Sequence, residues 1–280
     1  MDSVKCRDIR SVFGFVVVMS ILGQLAAGGF AVAAAGSEGF PETFLLRMSA
    51  YGIRDADTDL AVLSSENLGT GFSFVDDLGG DQSLTIPRID GHYRIDERHR
   101  IEFGSFRIER DGRDRLDIDL EIGDQSYTAG DTVISEINYE LLKVGYAYSF
   151  YRSQTVELSA TAGLNATDYA FDYRLVDGTS AGSSRAAGVL PMFGIRMAYE
   201  INPGWSLHYL SEVLFVEGGD VEGSLQNYEL EIRYRFARRF LLGVGLTRFS
   251  IDVTARDPEW NGRIADTHQG ILVAASYLVE

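Results

Sequence analysis

Apolar and polar side chains alternate, residue by residue, in segments that recur from Phe44 to Val279. In residues 156–165, valine, leucine and alanine alternate with glutamate, serine, threonine, glycine and asparagine. Such a period of two puts the two classes on opposite faces of a β-strand. Because a bilayer requires an apolar outer face and tolerates no unpaired strand edge, this pattern is typical of a closed antiparallel barrel in an outer membrane.

Turn-forming residues between the alternating segments predict ten strands. The strands are predicted at 43–53, 83–95, 99–110, 134–150, 154–170, 187–200, 204–216, 225–236, 240–253 and 268–279. Short and long connections alternate strictly, which leaves both chain ends on the short-turn side, as an outer-membrane barrel requires. We therefore predict an all-β fold, an up-and-down antiparallel transmembrane β-barrel of about ten strands, with eight strands as the alternative.

The N-terminus predicts export through a cleaved signal peptide. Lys5, Arg7 and Arg10 precede an apolar run at 12–25, and small residues at 31–35 offer cleavage sites. The run falls short of the ~20 residues that a membrane-spanning helix needs. We predict a signal peptide at 1–35 and one barrel domain at 36–280. The only cysteine lies in the predicted signal peptide, so the mature chain is expected to form no disulfide.

The chain is acidic, with a formal net charge of -16. Loss of residues 1–35 would remove three basic and two acidic side chains and make the mature protein slightly more acidic. Nucleic acid is therefore excluded as an expected partner.

Aromatic residues predict two girdles, because amphipathic rings prefer the interface between water and hydrocarbon. The girdle near the short turns is predicted to comprise Tyr93, Tyr148, Phe150, Tyr199, Trp205, Tyr234, Phe236, Phe240 and Tyr277. The girdle near the long loops is predicted to comprise Phe106, Tyr139, Tyr169, Phe171, Phe215, Tyr228 and Phe249.

The same alternation assigns many charged residues to the barrel interior, since charges against hydrocarbon are costly. The candidate lumen-facing residues are Arg88, Asp90, His92, Arg94, Glu102, Glu157, Arg196, His208, Glu212, Glu229, Glu231, Arg233 and Arg235, together with Arg47, Lys143, Glu200 and Asn227. Two interpretations compete: the charges pair and fill the lumen, or they line a water-filled path for small polar solutes. We favour the filled lumen, because a ten-stranded barrel is only slightly wider than one that side chains fill.

Residues 74–79, 87–95 and 98–103 resemble a run found in uncharacterised Gram-negative outer-membrane barrel proteins. The general architecture is similar to the small OmpA/OmpX/OmpW-type barrels. This resemblance implies a fold and a location in the cell outer membrane, with no active-site motif to carry over. The last residue, Glu280, departs from the terminal aromatic residue that the barrel assembly machinery reads in many such proteins.

Candidate chemistry is sparse, and we predict no cofactor and no metal site. Asp55, Asp57, Asp59 and Glu66 match an EF-hand spacing, but Leu60 replaces the required glycine. Gly69-Thr70-Gly71 and Gly79-Gly80 are interpreted as turns. His92 and His208 are interpreted as hydrogen-bonded lumen residues. A surface hydrolase site formed by Ser250, Asp266 and His268 is a less favoured hypothesis.

The long loop at 111–133 is expected to be the main outward-facing surface. Its aspartates and glutamates alternate with Leu116, Ile118, Leu120 and Ile122, which predicts a hairpin above the membrane. Such a surface could meet outer-membrane lipids, lipopolysaccharide or a partner protein. We therefore predict a non-enzymatic outer-membrane barrel with a structural, envelope-integrity or surface-interaction role and a plugged lumen. The alternative is a narrow, porin-like channel or transporter for small polar solutes.

Overall fold

The computed structural model describes residues 40, 42–62, 71–81, 83–122, 125–218, 221–256 and 261–280. The predicted signal peptide lies outside these residues. The strands are β1 (Phe44–Val62), β2 (Phe72–Ser73), β3 (Leu84–Arg94), β4 (His99–Arg115), β5 (Leu120–Ile122), β6 (Gln125–Tyr127), β7 (Thr132–Arg152), β8 (Val156–Leu175), β9 (Ala181–Asn202), β10 (Trp205–Gly218), β11 (Val221–Ala237), β12 (Phe240–Arg256) and β13 (Asn261–Val279). Among the described residues, no helix is long and apolar enough to cross a membrane.

Ten of these strands form a closed barrel. Each pairs in antiparallel fashion with the barrel strand that follows it in the chain, and β13 pairs with β1 from Phe44↔Val279 onwards. The strand β2 attaches to the edge of β1, and β5 and β6 form a separate two-stranded hairpin. The predicted all-β, up-and-down barrel of ten strands is confirmed.

One end of the barrel, here called the short-turn end, carries both chain termini and the tight connections. The Asp96 carboxylate accepts hydrogen bonds from the backbone N–H groups of Arg98 (2.8 Å) and His99 (2.9 Å), which lowers the pKa of that carboxyl group. In the turn between β9 and β10, Gly204 has a φ of 122°, a conformation that a side chain would disfavour. These local signals explain why the short turns lie close to their predicted positions.

The opposite end, here called the long-loop end, has strands that extend further than predicted. β9 begins at Ala181, although the prediction began at 187, and β13 begins at Asn261, although the prediction began at 268. Polar side chains occupy both faces of these extensions, so the apolar–polar alternation that identified the strands is missing there. Backbone pairing with the neighbouring strand extends them nonetheless.

Large apolar side chains cover the outer wall and form a belt around the barrel. Met48, Leu142, Val189, Phe193 and Leu246 are among its most exposed members. Near the short-turn end, the rings of Trp205 and Tyr234 lie 4.7 Å apart, and Phe240 stands 5.3 Å from Tyr277. These rings form an aromatic girdle at the edge of the apolar belt nearer the short-turn end.

The second predicted girdle was wrong for most of its members. Tyr139, Tyr169, Phe171 and Phe249 are buried inside the barrel, and Phe106 packs against the same interior cluster. Phe215, by contrast, is 71% exposed. The reason is parity: Tyr139 lies four residues from Lys143, so both side chains point to the same face of β7.

The interior of the long-loop end is closed by a group of apolar residues that we call the apolar plug. It comprises Phe72, Phe74, Leu78, Leu120, Ile122, Tyr127, Phe171 and Tyr173, all of which are buried. The ring of Phe171 lies 5.8 Å from that of Phe72, and the Tyr173 hydroxyl donates to the Ile122 carbonyl oxygen at 3.1 Å. Residues 72–78 and the β5–β6 hairpin therefore fold into the barrel mouth, and the hairpin that the acidic loop predicts is present.

Candidate functional site

The inward faces of the strands carry a dense group of charged residues in the half of the lumen nearer the short-turn end. Arg47, Arg94, Glu102, Glu157, Glu212, Glu229 and Glu231 are buried, and Arg88, Asp90, His92, Arg196, His208 and Arg233 are partly buried. Unpaired charges in this position would be strongly destabilising. The structure arranges most of them into three ion-pair networks.

The first network is centred on Arg47 of β1. Its guanidinium contacts Asp90 at 2.9 Å and both Glu229 and Glu231 at 2.5 Å. Arg88 also contacts Glu229, at 3.1 Å, and Arg233 also contacts Glu231, at 2.7 Å. Three arginines, from β1, β3 and β11, thus neutralise three carboxylates, from β3 and β11.

The first network depends on a gap in the side chains of β12, which lies between β11 and β13. A Cβ atom added to Gly243 would lie 1.9 Å from a carboxylate oxygen of Glu231. A Cβ atom on Gly245 would lie 2.6 Å from the Leu230 carbonyl oxygen. These glycines leave room for the glutamates of β11 to reach Arg47 across the inner wall.

The second network joins β3, β4 and β8. Two guanidinium nitrogens of Arg94 each donate to one oxygen of the Glu157 carboxylate at 3.0 Å, a bidentate geometry. Arg100 lies 3.5 Å from the same carboxylate and donates to Glu102 at 3.2 Å. Glu157 also accepts a hydrogen bond from Ser149.

The third network joins β4 and β7 to strands β9, β10 and β11. Arg196 lies 2.8 Å from the Glu102 carboxylate, and Lys143 pairs with Glu212. The other oxygen of Glu212 accepts a hydrogen bond from the side-chain amide of Asn227 at 3.1 Å. This network spans the lumen, because β4 and β10 lie on different sides of the barrel.

Three further candidate residues lie nearer the short-turn opening. The imidazole of His208 shares a hydrogen bond of 2.9 Å with the Ser206 hydroxyl. His92 lies 3.7 Å from Glu42, and Arg235 lies 3.9 Å from Glu280. Among the described residues, no carboxylate is hydrogen-bonded to either imidazole, so neither ring is oriented as a general base in the way that such catalysis requires.

Sequence reasoning missed several participants. Arg100 has the same parity on β4 as Glu102, so the alternation contained a usable signal for it. Glu42 precedes the first strand, where no periodicity could assign its direction. Arg110 and Thr58 form a separate polar contact with Asp266 below the apolar plug, and Arg110 lies over the ring of Phe74 at 4.8 Å.

The structure does not assemble the hydrolase site that the sequence suggested. Asp266 and His268 form a buried pair at 3.3 Å, and His268 stacks on Phe249. Ser250 follows Phe249 by one residue, so it faces the other side of β12, where its hydroxyl bonds with Thr267 at 2.9 Å. The hypothesis of a Ser250 nucleophile activated by His268 was therefore wrong.

The EF-hand spacing also lies in an unsuitable structure. Asp55, Asp57 and Asp59 belong to β1 and pair with β13, whereas Glu66 lies outside the described residues. A calcium loop of this class needs its ligands on a tight turn rather than on an extended strand. Within the described ranges, no group of three histidine, cysteine or acidic side chains is arranged to hold a metal ion.

Three small cavities lie between the lumen side chains of the described residues, and the first of them is lined by apolar residues such as Ile86 and Leu141 as well as by charged ones. Their volumes are about 70, 60 and 50 Å³, and neighbouring cavities share lining residues such as Glu102 and His208. Each is of the size that holds a few water molecules, given about 30 Å³ per water. The polar half of the lumen is thus filled mainly by side chains, with room for isolated solvent.

Comparison with known proteins supports the fold. No protein-family model matches the chain, and no curated protein matches it. The outer membrane protease OmpT from Escherichia coli superimposes with a TM-score of 0.60 at 9% sequence identity, covering 88% of this chain and 99% of OmpT. The fold is that of an outer-membrane β-barrel.

Two further solved structures match with lower scores. The transport unit of the autotransporter AIDA-I from Escherichia coli has a TM-score of 0.44 at 7% identity, covering 93% of this chain and 97% of that one. Ail, the attachment invasion locus protein of Yersinia pestis, has a TM-score of 0.38 at 8% identity, covering 82% and 98%.

Proposed function

We propose that this protein is a non-enzymatic barrel of the cell outer membrane with a closed lumen and a structural, envelope-integrity or surface-interaction role. The observation that carries this proposal is the double closure of the lumen. Ion pairs fill the half nearer the short-turn end, and the apolar plug fills the half nearer the long-loop end. A water-filled path for solutes would require both the ion-pair networks and the apolar plug to open.

The outer wall supports the proposed location. Exposed apolar side chains form a belt around the barrel, and aromatic rings line the edge of this belt nearer the short-turn end. A continuous apolar surface of this extent on a soluble protein would promote aggregation, whereas in a bilayer it is the expected lipid-facing surface. We expect export through the signal peptide and insertion by the barrel assembly machinery.

Site-directed spin labels test the location. Labels at Leu158 and Leu207 on the outer wall are expected to be accessible to oxygen dissolved in lipid and protected from a water-soluble relaxation agent. A label at Asp177, in an exposed turn of the long-loop end, is the control and should show the opposite. Aqueous surroundings at Leu158 and Leu207, or recovery of the protein in the soluble periplasm, would reject membrane insertion.

Planar-bilayer recording tests the closed lumen. The purified, refolded protein is expected to show no steady unit conductance. The contrary result is a reproducible conductance that disappears when Glu231 or Arg233 is neutralised, because that would place the ion path through the first network. It would favour the alternative function, a narrow channel for small polar solutes, for which the chain of small cavities is the supporting observation.

The proposal of a non-enzymatic role also has a direct test, since the OmpT structure is that of a protease. The Asp266–His268 pair is buried beneath the apolar plug and has no serine nucleophile on its side of β12. We expect no protease or lipase activity in the purified protein. An activity that is lost in His268→Ala and retained in Ser250→Ala would overturn this part of the proposal.

A further inference from the structure

A polar row and an apolar row cross the outer wall next to each other on four adjacent strands. Ser211, Tyr228, Arg248 and Gln269 are cross-strand neighbours at one level of β10 to β13. One pleat nearer the short-turn end, Tyr209, Leu230, Leu246 and Ile271 are cross-strand neighbours in the same way. Because Ser211 is buried, the exposed surface changes from apolar to polar within a single step on β11, β12 and β13.

A groove of about 450 Å³ lies over these two rows. Leu230, Leu246 and Ile271 contribute its apolar surface, and Arg248 and Tyr228 line its polar edge. Four strands spaced by ~4.8 Å make this surface about 14 Å wide. It is wide enough for several acyl chains lying side by side.

Arg248 differs from other exposed arginines of the outer wall. Arg107 pairs with Glu140, Arg185 lies 3.8 Å from Asp168, and the guanidinium of Arg263 lies 2.8 Å from Asp252. Arg248 is exposed and makes no ion pair with a carboxylate of the described residues. A guanidinium at the boundary between apolar and polar surface is complementary to an anionic group carried by an amphiphile.

We propose that this groove binds a phosphorylated glycolipid of the outer leaflet, with a phosphate group at Arg248 and acyl chains over the apolar row. The choice of leaflet rests on the proposed membrane location, because the polar row lies on the long-loop side of the apolar row. The width of the groove favours an amphiphile with several chains. The planar fork of the guanidinium suits two phosphate oxygens at once. Tyr228 is the cross-strand neighbour of Arg248, and its hydroxyl group, which donates to the Gln226 side chain at 3.3 Å, can still accept a hydrogen bond.

Native mass spectrometry of the full-length protein in detergent tests this proposal, with diphosphorylated lipid A as the probe. The unmodified protein is expected to bind the probe more tightly than fully dephosphorylated lipid A. Arg248→Gln is expected to weaken binding of the phosphorylated probe about tenfold, because a charge-assisted contact is lost. Arg263→Gln removes the same charge from a neighbouring strand and is the matched control, with affinity expected to stay within about twofold.

Equal binding by Arg248→Gln and the unmodified protein would overturn the site. Equal binding of the phosphorylated and dephosphorylated probes would overturn the role of phosphate. Phosphatidylglycerol is the third probe, and an affinity equal to that of lipid A would overturn the assignment to a glycolipid. If glycolipid binding fails while the spin labels at Leu158 and Leu207 still report lipid, this inference falls and the proposed location stands.

Discussion

At the scale of single residues, Arg47 shows how the lumen tolerates its charges. Its guanidinium contacts three carboxylates, and its side chain is almost completely buried. Removing one member of a buried network leaves its partners desolvated and unpaired, which is more damaging than the original pairing is stabilising. The exposed pair of Arg107 and Glu140 has no such dependence, since water solvates either group alone.

We therefore predict that Arg47→Met lowers the free energy of unfolding by about 3–5 kcal/mol. Arg107→Met makes the same chemical change on the outer wall and should change it by about 1 kcal/mol or less. Equilibrium unfolding in urea, with the protein in lipid vesicles, measures both. Equal effects of the two substitutions would contradict the buried network.

The glycine gap in β12 leads to a second residue-scale prediction. Gly243→Ala would push its methyl group into Glu231, which Arg47 and Arg233 hold in place, so we expect a loss of about 1–3 kcal/mol of stability. Gly188→Ala in β9 meets no atom within 4 Å and is the control. The same urea titration should separate the two variants, and a harmless Gly243→Ala would show that Glu231 lies elsewhere.

At the scale of single residues, the sequence predicts which face of a strand each side chain occupies, but it does not predict which residues that side chain contacts. Alternation along β11 puts Glu229, Glu231 and Arg233 on one face, and all three line the lumen in the structure. That Glu229 and Glu231 reach Arg47, on a strand three positions away around the barrel, depends on the small residues of β12 and on the strand register. Neither can be read from one segment alone.

At the scale of elements, the β5–β6 hairpin shows where alternation misleads. Leu116, Ile118, Leu120 and Ile122 alternate with acidic residues, but Leu120 is fully buried and Ile118 is 51% exposed. Ile118 lies in the irregular segment before β5, where the period of two does not hold. The sequence indicated the hairpin, whereas its docking into the barrel mouth depends on Phe74, Phe171 and Tyr173, which are distant in the chain.

We predict that Leu120→Asp releases the hairpin from the apolar plug, because a buried carboxylate without a partner is unstable there. Limited trypsin digestion should then cut at Arg115 at least several times faster, while the barrel strands stay intact. Ile118→Asp changes the same loop at an exposed position and should leave the rate of cleavage near that of the unmodified protein. Equal rates in the two variants would mean that the hairpin is not anchored by Leu120.

At the scale of the whole molecule, closure depends on the pairing of the first and last strands. Met48 pairs with Ala275 on the outer face of β1 and β13. Directly opposed residues of an antiparallel pair have Cα atoms about 4.5–5.5 Å apart, which suits a disulfide. The closed barrel was predictable from the even number and strict parity of the strands, whereas the β1–β13 register required the structure.

We predict that Met48→Cys combined with Ala275→Cys forms a disulfide on oxidation of the folded protein, in a Cys6→Ser background. The cross-linked chain should migrate differently from the reduced chain on a denaturing gel, because most of its length is then a covalent loop. Met48→Cys combined with Leu158→Cys, on a strand that does not pair with β1, is the control. Cross-linking only in the control would contradict the closed barrel.

The pairing of Phe44 with Val279 also determines when folding can finish. Contacts between the two ends of a chain carry the largest loop-closure entropy and form late. Until the last strand has been delivered, β1 keeps an unsatisfied edge that would pair readily with another molecule. The unfolded chain must therefore be protected from aggregation until its last strand has paired with β1. A truncation that removes the last strand would leave the edge of β1 permanently unpaired and would produce an aggregation-prone chain instead of a smaller barrel.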